Sequence, residues 1–290
     1  MRLHVVDGTY ELFRAHFSHR PDHVHQGVDL KGTLGLAESL LSLLADPDER
    51  VTHLAVAFDN PIRSVRNEWY GGYKSDEGVP PEILAQFDPA EEAVKALGVV
   101  VWSMDRFEAD DALATAAARW RGEVDQVRIM TPDKDLGQCI DGQRVVVVDR
   151  MRRKVIGEEE LFEKRGIRPA HVPDWLALVG DTADGIPGLE GFGEKTAAAL
   201  LRKYDHLEAI PPDAKAWPAE IRQRDRLART LAAEMEDALL YRKLATLIDD
   251  VPLPESLEDL RWKGAPRDAF EAWCDRVGAK GLRDRPLPVR

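Results

Sequence analysis

Short, nearly continuous apolar runs recur through the first half of the chain at Leu3–Val6, Leu54–Phe58, Val99–Trp102, Val127–Met130 and Val145–Val148. Each has the length of a strand, and their Val, Ile and Leu content predicts strands buried on both faces. Between them, apolar residues recur at helical spacing over Leu34–Leu44, roughly Pro89–Leu97 and Ala109–Trp120. Strands alternating with helices predict an α/β fold with a parallel sheet flanked by helices. Beyond Asp149 the pattern turns helical: Glu158–Lys164, Ala170–Val179, Glu194–Tyr204 and a long run from about Ala219 to Leu247. Pro211-Pro212 to Pro218 reads as a loop, and the last segment reads as irregular cover for the helical region. The expected division is an α/β domain over 1–155, a helical region over 156–250 and an irregular segment over 251–290.

Composition narrows the class. Of 290 residues, 44% are hydrophobic and 32% charged, which is a globular balance. Cys139 and Cys274 form neither a disulfide framework nor a Cys/His metal set, so a reducing cytoplasm is expected. The chain opens directly into a strand, which leaves no room for a signal peptide, and no run approaches the ~18 apolar residues of a membrane helix. No membrane association is expected, and nothing in the pattern calls for more than a monomer. The formal charge of −12 argues superficially against a nucleic-acid partner. Part of that charge is accounted for if the acids are gathered to hold divalent cations. Any phosphate contact must then come from a local basic patch or from backbone amides.

The acids are indeed placed for such a role. Ligands of open parallel sheets bind beyond the carboxyl ends of the strands. Asp7 follows the first apolar run, Asp59 the second, and Asp133 and Asp135 follow Val127–Met130. Glu108, Asp110 and Asp111 open the helix after Val99–Trp102, and Asp181 and Asp184 follow a helix in the second half. Singly, each has an ordinary explanation: an Asp before Gly suits a turn, and Asp110 suits a helix cap. Jointly, like charges converging on one cleft repel and need a compensating ion. With no His or Cys among them, the oxygen set suits Mg²⁺, with Mn²⁺ able to substitute. Phosphoryl transfer with two metals about 4 Å apart is the chemistry that uses so many carboxylates.

The ordered motifs Val6-Asp7-Gly8, Phe58-Asp59, Glu108-Ala109-Asp110-Asp111, Thr131-Pro132-Asp133-Lys134-Asp135 and Gly180-Asp181-Thr182-Ala183-Asp184 resemble one family. They are similar to the 5′ nuclease domain of bacterial DNA polymerase I and its stand-alone and phage relatives, the flap endonucleases. The resemblance runs from about residue 3 to about 250. It implies a PIN-like α/β domain, a helical arch at about 63–92 and a C-terminal DNA-binding region. It also implies that Asp7, Asp59, Glu108 and Asp110 hold one metal and Asp133, Asp135, Asp181 and Asp184 the second, with Asp111 near both. The partner implied is branched or gapped duplex DNA with a 5′ end, and no polymerase domain shares the chain.

Two further features bear on DNA. Gly188, Gly191 and Gly193 make a tight turn before a helix that opens with Lys195 and Thr196, an arrangement that offers free N–H groups to a phosphate. On residues alone such a turn is more often an ordinary helix entry. Its position after Gly180–Gly188 resembles the family's helix–hairpin–helix element, which implies duplex binding with K⁺ held by turn carbonyls. The second feature is Arg63…Arg66…Trp69-Tyr70…Tyr73-Lys74, cations interleaved with aromatics. Such a pattern suits stacked bases and paired phosphates, though a solvated helix face reads the same way. In the family the residues matching Lys74 and Arg66 face the scissile phosphate, and Arg14 lies where another phosphate-facing arginine is common. Arg283, Arg285 and Arg290 are terminal candidates for DNA contact.

One stretch departs from the family pattern. An arginine is common three residues after the Lys74 position; here Glu77 stands there, and Asp76, Glu82, Asp88, Glu91 and Glu92 follow or precede it. Gly78-Val79-Pro80-Pro81 would also interrupt a helix. Weak or altered threading of a 5′ end is therefore expected, with the metal chemistry untouched. The leading expectation is Mg²⁺-dependent hydrolysis of DNA at or near 5′ ends. The alternatives are an RNA or RNA–DNA hybrid substrate and a non-catalytic junction-binding module; a sugar or nucleotide phosphatase leaves the Gly188–Ala197 element unexplained.

Overall fold

The computed structural model describes residues 1–285 and 287, so Arg290 lies outside the described residues. The chain forms two compact units: Met1–Ser64 with Asp76–Thr131 and the residues from Asp249 onward, and Val65–Ser75 with Pro132–Ile248.

In the first unit, four parallel strands stand in the order Val100–Met104, His53–Asp59, Arg2–Asp7 and Gln126–Met130. Val5, Val6, Ala55, Val56, Ala57, Phe58, Val127 and Ile129 are all fully buried, so these strands carry side chains into packed layers on both faces. The first strand is flanked by the second strand on one side and the last on the other, with Val6 opposite both Val56 and Met130. Strand order reverses about Arg2–Asp7, the position at which open parallel sheets bind ligands beyond their carboxyl ends, and Asp7 and Asp59 end their strands at that edge. Gly8 is dictated by packing there. A Cβ at that position would lie 2.6 Å from the Phe58 ring and 2.7 Å from Val56 Cγ1. The helix Gly8–His16 can therefore start directly from the strand end only with glycine first.

The C-terminal segment is not irregular cover for the helical region. It belongs to the first unit and straps it. The Val251 N–H donates to Thr115 Oγ1 (3.1 Å), the Arg119 guanidinium to the Leu253 carbonyl (2.8 Å) and the Trp102 indole to Glu255 (2.9 Å). His53 bridges Arg261 at the sheet, and the indole of Trp262 donates to the Leu97 carbonyl at 3.0 Å. The helix Arg267–Arg276 follows, with Phe270 and Trp273 fully buried. Phe270, Trp273, Cys274 and Val277 are buried at helical spacing, a periodicity present in the sequence, whereas the segment before this helix is held by main-chain bonds and the Trp262 indole and leaves no periodic mark.

The segment at 63–92 is interrupted where Gly78-Val79-Pro80-Pro81 predicts. Residues 63–92 contain two four-residue helices, Arg66–Trp69 and Pro81–Leu84, and then the start of Phe87–Ala96. Gly78 has φ +81° and Pro80-Pro81 starts a new helix, so nothing continuous can form. Ile83, Gln86 and Phe87 are buried within the first unit. The acids here are also less available than their sequence implies. Asp76 pairs with Arg63 (3.3 Å), Glu92 with Arg276 (3.3 Å) and Asp88 accepts from Asn60 (3.0 Å). Glu91 is buried and accepts from Ser103 at 2.6 Å.

The second unit is mainly helical. The strand Val145–Asp149 pairs antiparallel with Lys154–Ile156, a pairing the sequence pattern did not show. The long run after Ala219 divides into Arg224–Ala233 and Met235–Ala245 at Glu234, whose backbone (φ −113°, ψ 24°) leaves the helical region. Val172–Val179 and Glu194–Tyr204 form the two helices of a hairpin. Gly188 holds its turn: φ is +70°, and a Cβ would meet Gly180 N at 2.5 Å and Val179 C at 2.6 Å. No other residue allows the two backbones so close.

The strap account makes a prediction. Trp262→Ala should cost about 3–5 kcal/mol of stability, as expected for a buried tryptophan, read by urea denaturation. A loss under about 1 kcal/mol would show that residues after Val251 are dispensable to the α/β unit.

Candidate metal centre and nucleic-acid interface

The nine sequence-predicted acids divide between the units. Asp7, Asp59, Glu108, Asp110 and Asp111 lie in the first, and Asp133, Asp135, Asp181 and Asp184 in the second. In the first unit the carboxylates are held by the elements they end or open. Asp7 caps its helix by accepting the Tyr10 N–H at 2.8 Å, and its other oxygen accepts Thr131 Oγ1 at 3.0 Å. Asp59 accepts the Ala109 N–H at 2.7 Å. Glu108 and Asp111 form a capping box on Ala109–Trp120, and Ser64 Oγ donates to Glu108 at 2.6 Å. Asp110, the residue expected to cap, sits half-buried in the first turn while its neighbours do so. The capping reading and the ligand reading thus apply to the same side chains, oriented at the sheet edge by backbone amides.

In the second unit the acids come together. Asp135, Asp181 and Asp184 place one carboxylate oxygen each within 4.8 Å of one another, the one such trio of metal-capable side chains among the described residues. Local structure explains the gathering. Asp133 Oδ1 accepts the Asp135 N–H at 2.8 Å and turns the chain into the 3₁₀ segment Asp135–Cys139. The Asp181 main chain exchanges two 2.8 Å bonds with Ile186, closing a loop that presents Asp181 and Asp184 together.

The electrostatics are severe. Asp135 is 4% exposed, and its Oδ1 has no hydrogen-bond partner. Burial, and then the charges of Asp133, Asp184 and Asp181, push its carboxyl well above the ordinary value. Two ammonium groups reach the cluster: Lys134 Nζ at 2.7 Å from Asp181 and Lys74 Nζ at 3.0 Å from Asp184. Four carboxylates against two cations, with one buried oxygen orphaned, fit a divalent cation bound by oxygen ligands.

Lys74 is held by its main-chain N–H donating to the Asp184 carbonyl (3.0 Å) and by Asn67, whose amide donates to the Tyr73 and Lys74 carbonyls. Asn67 and Lys134 were not singled out from sequence, although Lys134 stands between two of the quoted aspartates. Two expectations need correction. Arg66 is 1% exposed, and its guanidinium donates to the Leu244 and Thr246 carbonyls (2.8 and 3.0 Å). It caps a helix end and is not presented to a phosphate. Tyr73 is 5% exposed beneath Arg66 and Lys74, so it offers no stacking face. Arg14, in the first unit, donates to the buried Glu11 (2.5 Å) and to Ser39 (3.2 Å). In the hairpin, Gly188 and Gly191 have positive φ, whereas Gly193 (φ −98°) is the N-cap of Glu194–Tyr204. Lys195 is exposed and Thr196 half-buried in its first turn.

The chain and its fold have relatives. The 5′-3′ exonuclease N-terminal resolvase-like domain profile matches residues 2–166, and the 5′-3′ exonuclease C-terminal SAM fold profile matches 167–268. A 5′-3′ exonuclease of Aquifex aeolicus is 34% identical over 281 residues, 97% of this chain and 93% of that one. DNA polymerase I of Mycobacterium leprae is 32% identical over 98% of this chain, which spans only 31% of that longer relative. In fold, the chain resembles T5 5′-exonuclease bound to divalent zinc (TM-score 0.66, 18% identity, 96% of this chain and 99% of that one). It also resembles the catalytic core of Rad2 in complex with DNA substrate (TM-score 0.62, 14% identity, 95% and 87%).

The raised Asp135 carboxyl has a consequence for the metal-free protein. A carboxyl raised on folding favours the folded state while protonated, so stability in EDTA should fall as pH rises through the raised value. Asp135→Asn should remove that slope. It should also raise the neutral-pH melting temperature in EDTA by about 2–4 °C for each kcal/mol of repulsion relieved. Added Mg²⁺ should stabilise the wild type more than the variant. A variant that melts lower in EDTA would mean that the carboxylate, uncompensated, is not the destabilising group.

Proposed function

This chain belongs to the 5′-3′ exonuclease family, and from that premise we propose that it hydrolyses phosphodiesters of branched or gapped duplex DNA at or near 5′ ends, as a Mg²⁺-dependent monomer. The observation that carries the reading is the trio Asp135, Asp181 and Asp184, of which Asp135 is buried with one carboxylate oxygen unpartnered. These three, with Asp133, would hold one metal. Asp7, Asp59, Glu108 and Asp110, with Asp111 beside them, are assigned to the other. The chemistry that two ions would supply there is activation of a water nucleophile and stabilisation of the leaving oxygen.

The chain's own residues supply orientation and charge. Lys74, tethered through Asn67 and Asp184, carries the ammonium assigned to the scissile phosphate. Arg14 is assigned to a neighbouring phosphate, on the family resemblance alone. The N-terminus of Glu194–Tyr204, with Gly193, Lys195 and Thr196, offers amides, an ammonium and a hydroxyl to the duplex backbone, and this does not require a basic protein overall. Carbonyls of the Gly188–Gly191 turn are assigned to K⁺. The interrupted segment at 63–92, with Glu77 where the family favours arginine, is the reason to expect weaker capture of a free 5′ end.

The test is cleavage of a 5′-labelled flap duplex with Mg²⁺, with EDTA and with Asp133→Asn/Asp135→Asn, beside an RNA-flap substrate. Mg²⁺-dependent cutting near the junction, lost in the variant, is expected. Tight junction binding with no cutting in Mg²⁺ or Mn²⁺ would instead identify a binding module, and preferential RNA cleavage would reassign the substrate. Lys74→Ala should lower the single-turnover rate by about 10²–10³-fold while changing duplex affinity far less. Equal losses in both would make Lys74 a binding residue only.

A further inference from the structure

Lys134 has a different relation to the aspartate cluster from Lys74. Asp181 has two carboxylate oxygens: Oδ1 accepts the Ala183 N–H at 3.0 Å, and Oδ2 receives the Lys134 ammonium at 2.7 Å. Lys134 therefore covers the Asp181 oxygen that receives no N–H from Ala183. The pair is well shielded, with the Asp181 side chain 8% exposed and that of Lys134 28%. Asp135, whose Oδ1 is buried and unpartnered, belongs to the same trio of residues. Lys134 also lowers the cost of that neighbouring carboxylate, opposing the effects of Asp133, Asp181 and Asp184.

We propose that Lys134 is a resident counter-ion that occupies the ligand oxygen of Asp181 in the metal-free protein and must leave it for a divalent ion to bind. It thereby keeps four aspartates compatible with the apo fold and sets the affinity of the site. A ligand whose place is already held by a protein cation binds more weakly by the free energy of displacing that cation. Removing the cation should tighten metal binding and destabilise the apo protein at once. A purely structural pin makes the opposite prediction for the metal, because losing it would loosen the ligand set and weaken binding.

This inference rests on the reading of Asp135, Asp181 and Asp184 as metal ligands. The experiment is calorimetric titration of the full chain with Mn²⁺, without DNA and at constant ionic strength, beside melting in EDTA. Lys134→Met keeps the stem and removes the charge; the Asp135-dependent Mn²⁺ site should tighten by about tenfold, and the melting temperature in EDTA should drop. Lys134→Arg keeps a cation and should leave the affinity within about threefold of wild type. If Lys134→Met does not fold, Lys134→Gln provides a second neutral side chain, with the same tightening expected. Unchanged or weaker Mn²⁺ binding in a folded neutral variant overturns the proposal. Asp135→Asn separates the two levels: if it removes no Mn²⁺ site, the ligand assignment itself fails, whatever the Lys134 variants show.

Discussion

Negative charge brought together faster than the fold can neutralise it is the constraint on which the second unit is built. Four aspartates are held by short-range devices: an Asx turn from Asp133, the reciprocal Asp181–Ile186 pairing, and the Lys74 N–H on the Asp184 carbonyl. Each device acts on backbone geometry and takes no account of the repulsion it creates. The consequence falls on Asp135, buried, raised and with one oxygen unpartnered. Buried polar atoms are nearly always satisfied in native proteins, and this unsatisfied one is a carboxylate oxygen crowded by three other carboxylates, the chemistry that a divalent cation fits. A divalent ion resolves burial, repulsion and the orphaned oxygen together. Two lysines resolve them only in part.

The first unit handles its acids differently. Asp7, Asp59, Glu108 and Asp111 are oriented at the sheet edge by hydrogen bonds from helix N-termini and hydroxyls. The C-terminal strap reinforces this frame, since Val251 and Leu253 bond to the same helix, Ala109–Trp120, that Glu108 opens.

Much of this was legible in the sequence because it depends on local chemistry. Strands with unbroken Val and Ile, an acid at each strand end and glycine where backbones touch all leave marks within a few residues. Ala109–Trp120 and Glu194–Tyr204 have the bounds their periodicity predicts. What was not legible depends on distant partners. Arg66 looks like a phosphate ligand beside aromatics, yet its partners are the Leu244 and Thr246 carbonyls, nearly 180 residues away. The first part of the strap is held by main-chain bonds and the Trp262 indole, and the acids after Lys74 pair with Arg63, Asn60 and Arg276. Lys134 was visible within its motif, but only the position of its ammonium against Asp181 distinguishes it from a surface lysine.

The most direct test of a charge cluster built to receive an ion is to locate the ion. Crystals of the chain grown with Mn²⁺ and no DNA, measured at the manganese edge, should show an anomalous peak among the carboxylates of Asp135, Asp181 and Asp184, within about 2–2.6 Å of their oxygens. Manganese found only elsewhere on the chain, with the Lys134–Asp181 pair intact and Asp135 still buried and unpartnered, would contradict the account.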